Sequence, residues 1–598
     1  MQNFKKMFEL LSLHEQKRAL LLLILTLIMA ILDMLGVASI LPFISVLSNP
    51  KIIETNIYLL NIYKASSVIG VTNNQQFLFI LGTAVFVLLL FSLIIKATTI
   101  YFQTRFALMR EYSISKRLIE CYLHQPYIWF LNRNSSNIGK VILSEVSQVV
   151  NQILIPMINF ITQSIVALAI LALLILVNPI LAFVAGLILI LSYLIIFYFI
   201  KNILSHFGNI RLQANSERFS IISEAFSAAK EVKVGGLEQE YINRFSKPAQ
   251  IYAKNQSLAY VIAQTPRYFL EGIAFGGLII LVLALMLLGS SFDKIVPIIA
   301  LYAFAGYRLM PALQQIYASS TQLRFSQPAL DLLHKDLINL RYQKQTSNNT
   351  NVIALTKSII LNNISFSYPN SKKLSLKNIN LTIPAFTKVG IVGVTGSGKT
   401  TLVDLILGLL DATQGIFSVD KNEIKNDKKR SWQKSIGYVP QQIYLSDASV
   451  ATNIAFGVDV KNINQQSLEK AAKIANLHDF VINELPQGYN TIIGERGVRL
   501  SGGQRQRIGI ARALYHNPQI FILDEATNAL DNITEQAIME AINNLGNKIT
   551  IILITHRLKT IKNCDTIFFM EKGSLIKQGN YNTLLENCEQ FRKMAAEN

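Results

Sequence analysis

The sequence predicts a membrane α-helical bundle of six transmembrane helices followed by an α/β P-loop nucleotide-binding domain. Three observations predict it. Before residue 345, six apolar stretches are each long enough to cross a bilayer, which takes about 20 residues. After residue 351 the pattern turns to short β-branched runs alternating with helical ones, among them KVGIVG, SIGYVP, IFILDE and TIIILIT. Between two such segments lies IVGVTGSGKTTLVDLILGLL, from Ile391 to Leu410, a glycine-rich turn that opens an apolar helix.

The bulk properties agree with a membrane protein. Of 598 residues, 51% are hydrophobic, and the mean hydropathy is +0.36. Lys and Arg number 56 against 37 Asp and Glu, a net charge of +19. Such an excess fits nucleic acid, anionic lipid or the cytoplasmic loops of a membrane protein. Six bilayer-length stretches weigh against a soluble nucleic-acid-binding ATPase. The cysteines Cys121, Cys564 and Cys588 are too far apart for a disulfide framework or a metal-ligand pattern.

The chain opens with MQNFKKMFELLSLHEQKRALLLL and no evident cleavable signal. Phe4, Met7, Phe8 and Leu11 share one helical face, which predicts an amphipathic helix lying on the membrane surface. The spans follow near 19–47, 77–104, 146–177, 180–201, 257–288 and 294–317. Asn178 and Pro179 make a tight turn between the third and fourth. Mixed-charge segments near 105–145 and 202–255 read as helices continuing out of the bilayer into water. The first carries Arg105, Arg110, Lys116, Arg117, Arg133 and Lys140, whereas the linkers 178–179 and 289–294 carry only Lys294. The positive-inside rule therefore places the long segments and both termini in the cytoplasm. A transmembrane domain over 1–344, a linker over 345–351 (QTSNNTN) and a nucleotide-binding domain over 352–598 are expected.

Gly393-x-x-x-x-Gly398-Lys399-Thr400 matches the full P-loop pattern. Its glycines let backbone N–H groups face phosphate, and the following helix adds the positive end of its dipole. Lys399 suits the outer phosphates and the Thr400 hydroxyl suits Mg²⁺. IFILDEAT ends a strand in Asp524, suited to hold Mg²⁺ through water, and Glu525, suited to polarise an attacking water. Leu500-Ser501-Gly502-Gly503-Gln504 is a second glycine turn opening a helix, hence a second anion-binding end.

At LSGGQ the sequence resembles ATP-binding cassette (ABC) proteins, and other pieces come in that family's order. The resemblance implies that Tyr368 of FSYPN stacks on adenine, and that Gly393, Thr395, Gly396, Ser397, Gly398, Lys399, Thr400 and Thr401 cradle ATP. It makes Gln441 of YVPQQ a sensor of Mg²⁺ alongside Thr400 and Asp524. Glu525 and His556 of LITHRL become the catalytic pair. Gly494–Gly497 (GERG) resembles the segment that precedes the signature in exporters. Ser501, Gly502, Gly503, Gln504 and Asp531 would bind ATP held by a second chain. Asn528 departs from the usual serine, and Leu445-Ser446 from a common Leu-Phe.

One membrane domain and one cassette look like an exporter-type half-transporter, which implies a homodimer hydrolysing ATP. Pro126–Lys140 and Ser223–Tyr241 resemble its two coupling segments.

Charges within spans cost about 2.5–3.5 kcal/mol on insertion scales, so each asks for a reason. Asp33, Lys96, Arg267, Glu271 and Arg308 are the candidates. Lys96 is expected to snorkel to the cytoplasmic interface. Arg267 and Glu271 are i,i+4 neighbours, open to a local ion pair or to substrate. Arg308 lies near mid-membrane without a local partner, so it is the best candidate for an anionic substrate. TPRYFLEGIAF (Thr265–Phe275) and AGYRLMPALQQI (Ala305–Ile316) resemble spans of PglK-like lipid-linked oligosaccharide flippases. This resemblance implies translocation of a polyprenyl-diphosphate glycan across the cytoplasmic membrane. The alternative is export of hydrophobic drugs, peptides or another lipid. Between the first two spans, Ile53, Ile57, Leu60 and Tyr63 are expected on one apolar helix face that could meet a polyprenyl tail or the bilayer.

Overall fold

Ser12 sets where the first long helix begins. Its hydroxyl accepts from the Glu15 N–H at 3.4 Å, and Glu15 Oε2 accepts from the Ser12 N–H at 2.8 Å. This reciprocal cap satisfies two backbone donors that the first turn leaves open. The computed structural model describes residues 2–66, 71–177, 179–287, 292–340, 352–369, 371, 373–425, 427–526, 532–543 and 549–597. They fall into two units: Met1–Gln125 with Trp129–Gln343, and Pro126–Ile128 with Lys344–Asn598.

The first unit is helical. Its elements are α1 (Gln2–Leu10), α2 (Leu13–Ala38), α3 (Asn74–Leu123), α4 (Ile155–Val177), α5 (Pro179–Ser227), α6 (Glu238–Gln264), α7 (Pro266–Leu287), α8 (Phe292–Phe325) and α9 (Gln327–Asn339). Among the described residues, four helical runs are long and apolar enough to cross a membrane: Leu13–Ser48, Asn74–Leu123, Ser135–Val177 and Ala182–Ser227. The fifth expected span, 257–288, falls on the end of α6 and on α7, and the sixth, 294–317, falls within α8. At 50 and 49 residues, α3 and α5 run about 75 Å each, far beyond a hydrocarbon core of about 30 Å. They are the long extensions expected from the charge pattern. α4 ends at Val177 and α5 starts at Pro179, so only Asn178, outside the described residues, separates them. The linker 345–351 also lies outside the described residues.

Two π-helical segments, Val141–Glu145 and Val150–Leu154, precede α4. The first presents Glu145 to the unit's interior. There its carboxylate meets Arg211 at 3.2 Å and the Asn215 amide at 2.9 Å. A π-bulge shifts side chains around the helix, often at a functional or strained position.

Two expectations for amphipathic helices need correction. At α1, Met7 and the following Leu11 are buried and Phe4 packs against the same cluster, as the expected face requires, but Leu10 is buried with them whereas Phe8 is 50% exposed. Phe8 lies about 100° around the helix from Met7, on the side away from Leu10, and so falls beyond the buried face. α1 packs on protein, tied to α9 by Lys6–Asp331 at 2.6 Å and Glu9–His334 at 2.7 Å. Between the first spans, the predicted face of Ile53, Ile57, Leu60 and Tyr63 does not exist. The chain leaves helical geometry at Asn56 (φ −102°, ψ 116°), so the phase of Ile52–Thr55 is not carried into Ile57–Ser66. Ile53 and Leu59 are buried, and Tyr63 packs edge-on against Phe77 at 5.1 Å. Ile57, Tyr58 and Ile62 face outward.

The second unit holds two sheets. β1 (Ser358–Phe366), β2 (Leu376–Pro384), β4 (Gln414–Val419) and β5 (Asn422–Glu423) form one in the order β2-β1-β4-β5. β3 (Lys388–Val392), β6 (Ile436–Val439), β7 (Ile520–Asp524), β8 (Thr550–Ile554), β9 (Thr566–Glu571) and β10 (Ser574–Gly579) form the other, in the order β10-β9-β3-β8-β7-β6. From β9 to β6 the neighbours are parallel. β7 and β8 are buried at every position, as a parallel sheet covered on both faces requires.

Candidate functional site

β3, β8, β7 and β6 lie side by side; β7 ends in Asp524, and the other three lead at the same edge into segments that carry polar side chains. In such sheets the crevice beyond the carboxyl ends of the strands is where ligands bind. β3 runs into the glycine-rich turn and then α10 (Lys399–Ile406). A Cβ on Gly393 would run into the Met570 carbonyl and approach Ser397 Oγ to 2.7 Å. Gly398 caps α10 at φ 98°, a conformation that disfavours side chains with a Cβ. The loop is therefore specific to glycine for steric reasons.

Lys399 Nζ donates to the carbonyls of Gly393 at 2.8 Å and Val394 at 3.2 Å, so the ammonium is held over its own loop. Burial pulls its pKa down, and Glu525 and Asp524 oppose that shift. Ser397 Oγ is buried and has no hydrogen-bond partner within the protein, an orphaned donor beside a phosphate-sized turn. Thr395, Gly396 and Thr400 are exposed on the same turn. The Tyr368 hydroxyl lies 3.2 Å from Thr401 Oγ1, which fixes that ring beside α10.

Asp524, at the end of β7, is buried, and its pKa is raised by burial and by Glu525. The Tyr438 hydroxyl of β6 donates to it at 3.4 Å. Glu525 follows with a left-handed φ of 48°. This strained conformation is uncommon outside glycine and clusters at functional positions. Its N–H donates to the Ile554 carbonyl at 2.9 Å. Two side chains converge on its carboxylate. Gln441 Nε2, two residues past β6, donates at 2.8 Å, and His556 Nδ1, two past β8, lies at 3.2 Å. Lys399, Gln441, Asp524, Glu525 and His556 thus gather at one edge.

Ser501 and Gln504 open α11 (Gly502–Tyr515) through a second reciprocal cap. Ser501 Oγ accepts from the Gln504 N–H at 3.2 Å, and Gln504 Oε1 accepts from the Ser501 N–H at 2.8 Å. Among the described residues, no hydrogen bond joins this turn, with Gly502 and Gly503, to the turn of Gly393–Thr401. Asp531 and Asn528 lie outside the described residues.

Sequence reading missed Asp404. One turn along α10 from Thr400, its carboxyl is pushed up to about 6 by burial and by Asp524. An acid within an apolar helix run was the available signal.

Within the bundle, Arg308 is not partnerless. Its Nη1 lies 3.3 Å from Asp33 Oδ1, to which the Ser92 hydroxyl also donates at 2.7 Å. Nor does Lys96 snorkel away, because its Nζ lies 3.8 Å from Asp33 Oδ2. The spans bring together charges that are remote in sequence, which no local pattern reveals. All three line a cavity of about 780 Å³, with Gln103, Asn159 and Gln163 among its polar residues. Arg267 instead pairs with Glu271 at 2.6 Å and is not among the described residues lining that cavity.

Comparison with known proteins places both units. The ABC transporter family matches residues 376–528, and the ABC transporter transmembrane region matches residues 19–311. An ATP-dependent lipid A-core flippase of Wigglesworthia glossinidia brevipalpis is 34% identical over 402 residues, which are 66% of this chain and 67% of that one. The heterocyst differentiation ATP-binding protein HepA of Nostoc sp. is 35% identical over 375 residues, 62% of this chain and 60% of its own. The leukotoxin export ATP-binding protein LtxB of Aggregatibacter actinomycetemcomitans is 34% identical over 401 residues, 66% of this chain and 55% of its own. The chain therefore spans only part of the length of these relatives. A bacterial Atm1-family ABC exporter solved with ATP bound superposes with a TM-score of 0.77 at 22% identity, covering 97% of this chain and 98% of that one. At that identity the likeness is one of fold.

Proposed function

The chain belongs to the ABC transporters and has the exporter-type fold, and on that premise we propose that it hydrolyses ATP to move an anionic lipid across the cytoplasmic membrane. It acts as a homodimer whose cassettes face the cytoplasm. In this reading Tyr368 stacks on adenine, and Gly393–Thr401 with Lys399 bind the phosphates. Ser501, Gly502, Gly503, Gln504 and Asp531 complete the site on the partner chain. Glu525 orients the attacking water, and His556 steadies the carboxylate.

Thr400, Gln441 and Asp524 fit Mg²⁺. They offer the oxygen donors that this hard cation prefers, beside the orphaned Ser397 hydroxyl. Bound there, Mg²⁺ would neutralise charge on the transferred phosphate. The residues' own share is positional. Strand ends fix Asp524 and Glu525, while Gln441 sits on a loop that can answer movement of its own unit. Closure of two cassettes on ATP would then shift the membrane helices between two arrangements.

We propose as cargo a lipid-linked oligosaccharide, a polyprenyl-diphosphate glycan. One observation carries this reading: among the described residues lining a bundle cavity, two cations, Lys96 and Arg308, stand against a single carboxylate. A site with surplus positive charge inside a bilayer suits a multiply charged headgroup. Ile57, Tyr58 and Ile62, exposed between the first spans, offer an apolar face to its tail or to the bilayer. The test is a flipping assay in defined vesicles that compares lipid-diphosphate glycans with hydrophobic dyes. Loss of glycan flipping in Arg308→Ala, with the protein still folded, supports the reading, and undiminished flipping removes it. A second reading, translocation of another phosphorylated lipid, is favoured by the lipid A-core flippase relatives. Such a lipid would outcompete the glycan in the same vesicles.

A further inference from the structure

Asp33 is the unexplained member of the cavity. A site that needs positive charge gains nothing obvious from a carboxylate placed between its cations. Yet Asp33 is held firmly. It is 1% exposed on α2, and the buried Ser92 hydroxyl of α3 fixes one oxygen at 2.7 Å. The cations are held less firmly. Lys96 on α3 keeps 34% of its side chain exposed and Arg308 on α8 keeps 19%. Their distances to Asp33, 3.8 and 3.3 Å, exceed the roughly 2.7–2.9 Å of a tight charge-assisted bond. Arg308 directs one N–H to Asp33, whereas a guanidinium has five. Both cations therefore retain donors for a second anion. Among the described residues lining the cavity, Asp33 is the one carboxylate.

We infer that Asp33 is a built-in counter-anion that competes with the lipid headgroup for Lys96 and Arg308, and so sets the minimum negative charge a headgroup must carry. This rests on reading the cavity as the headgroup site. With two cations and one carboxylate among the described lining residues, the local surplus is a single charge. A diphosphate, with two or three negative charges, displaces the carboxylate's hold on the cations. A phosphodiester lipid, with one, does not. The bilayer contains the singly charged competitor in large excess, so its absolute affinity has to be kept low. Asp33 raises the cost for every anion, a cost that the stronger attraction of a diphosphate for both cations can meet and that of a single charge cannot, and Ser92 keeps the carboxylate in place.

The test measures binding to full-length protein in phosphatidylcholine nanodiscs. The probes are farnesyl diphosphate, inorganic pyrophosphate and phosphatidylglycerol. Wild-type protein is expected to prefer farnesyl diphosphate over phosphatidylglycerol. Asp33→Asn should tighten phosphatidylglycerol binding about ten-fold and farnesyl diphosphate binding at least as much, so that the singly charged lipid, poorly held by the wild type, becomes a ligand. Ser92→Ala leaves every charge in place and should strengthen phosphatidylglycerol binding by a smaller factor. It carries the test if Asp33→Asn fails to fold. Phosphatidylglycerol binding that stays as weak in both folded variants as in the wild type overturns the role of Asp33 and leaves the diphosphate reading standing. A wild-type protein without that preference overturns both. Pyrophosphate binding that matches farnesyl diphosphate and responds equally to the variants supports the counter-anion while assigning the site to a free diphosphate.

Discussion

Gln441 Nε2 donates to Glu525 Oε2 at 2.8 Å, so the residue that follows one strand holds the carboxylate that follows the next. The same carboxylate also meets His556, at 3.2 Å. A hydrogen-bonded, oriented carboxylate is what activation of a water requires. Glu525→Gln is expected to lower ATP turnover about a hundred-fold or more while ATP still binds. Phosphate release and nucleotide binding, measured on one preparation, check this. Turnover within a few-fold of wild type would remove Glu525 from the chemistry. Gln441→Ala should lower turnover too and weaken its dependence on Mg²⁺ concentration.

Asp404 predicts a pH dependence of stability. Its carboxyl is pushed up to about 6, from 3.8, by burial first and by Asp524 second. Between those two values the folded protein binds more of this proton than the unfolded chain does. The group's contribution to stability therefore falls as pH rises through that window and stays low above it. Asp404→Asn should raise the melting temperature at pH 7.5, with the gain shrinking toward pH 4. A gain equal at both pH values would contradict this origin.

Ser501 has two jobs that substitution can separate. Ser501→Ala removes the cap of α11 and should cost about 1 kcal/mol of cassette stability. Ser501→Asp keeps a capping oxygen but adds negative charge where the partner's ATP phosphates would lie. It should retain the melting temperature and lose ATP-driven dimerisation. Dimerisation as strong as wild type would argue against binding in trans.

The Glu145–Arg211 pair, 0% and 1% exposed, is a structural prediction for the bundle. Glu145→Gln leaves a buried guanidinium without its counter-charge and should destabilise by about 3–5 kcal/mol. Glu145→Leu with Arg211→Met should recover much of that loss. Thermal unfolding in detergent reads both, and a single variant as stable as wild type would show the pair to be dispensable.

The cassette was legible because its chemistry is local. Gly393, Gly398, Lys399 and Thr400 lie within one turn and the start of one helix, and Asp524 and Glu525 end one strand. Spacing alone identifies such groups. Elements whose phase depends on a distant partner were read less well. α1 turned Phe8 outward because α9 claimed Met7 and Leu10 instead. The helix between the first spans broke at Asn56, where no proline or glycine marks a boundary.

By itself the sequence determined which segments are apolar enough to cross a membrane, which strand ends carry the side chains proposed for phosphate chemistry, and that one cassette follows one bundle. These are properties of runs of neighbouring residues. Only the tertiary structure decided the environment of each intramembrane charge. Asp33 meets Ser92 across 59 positions and Arg308 across 275. In a low-dielectric bundle it is such distant partners, and not sequence neighbours, that fix whether a charge is free to bind cargo.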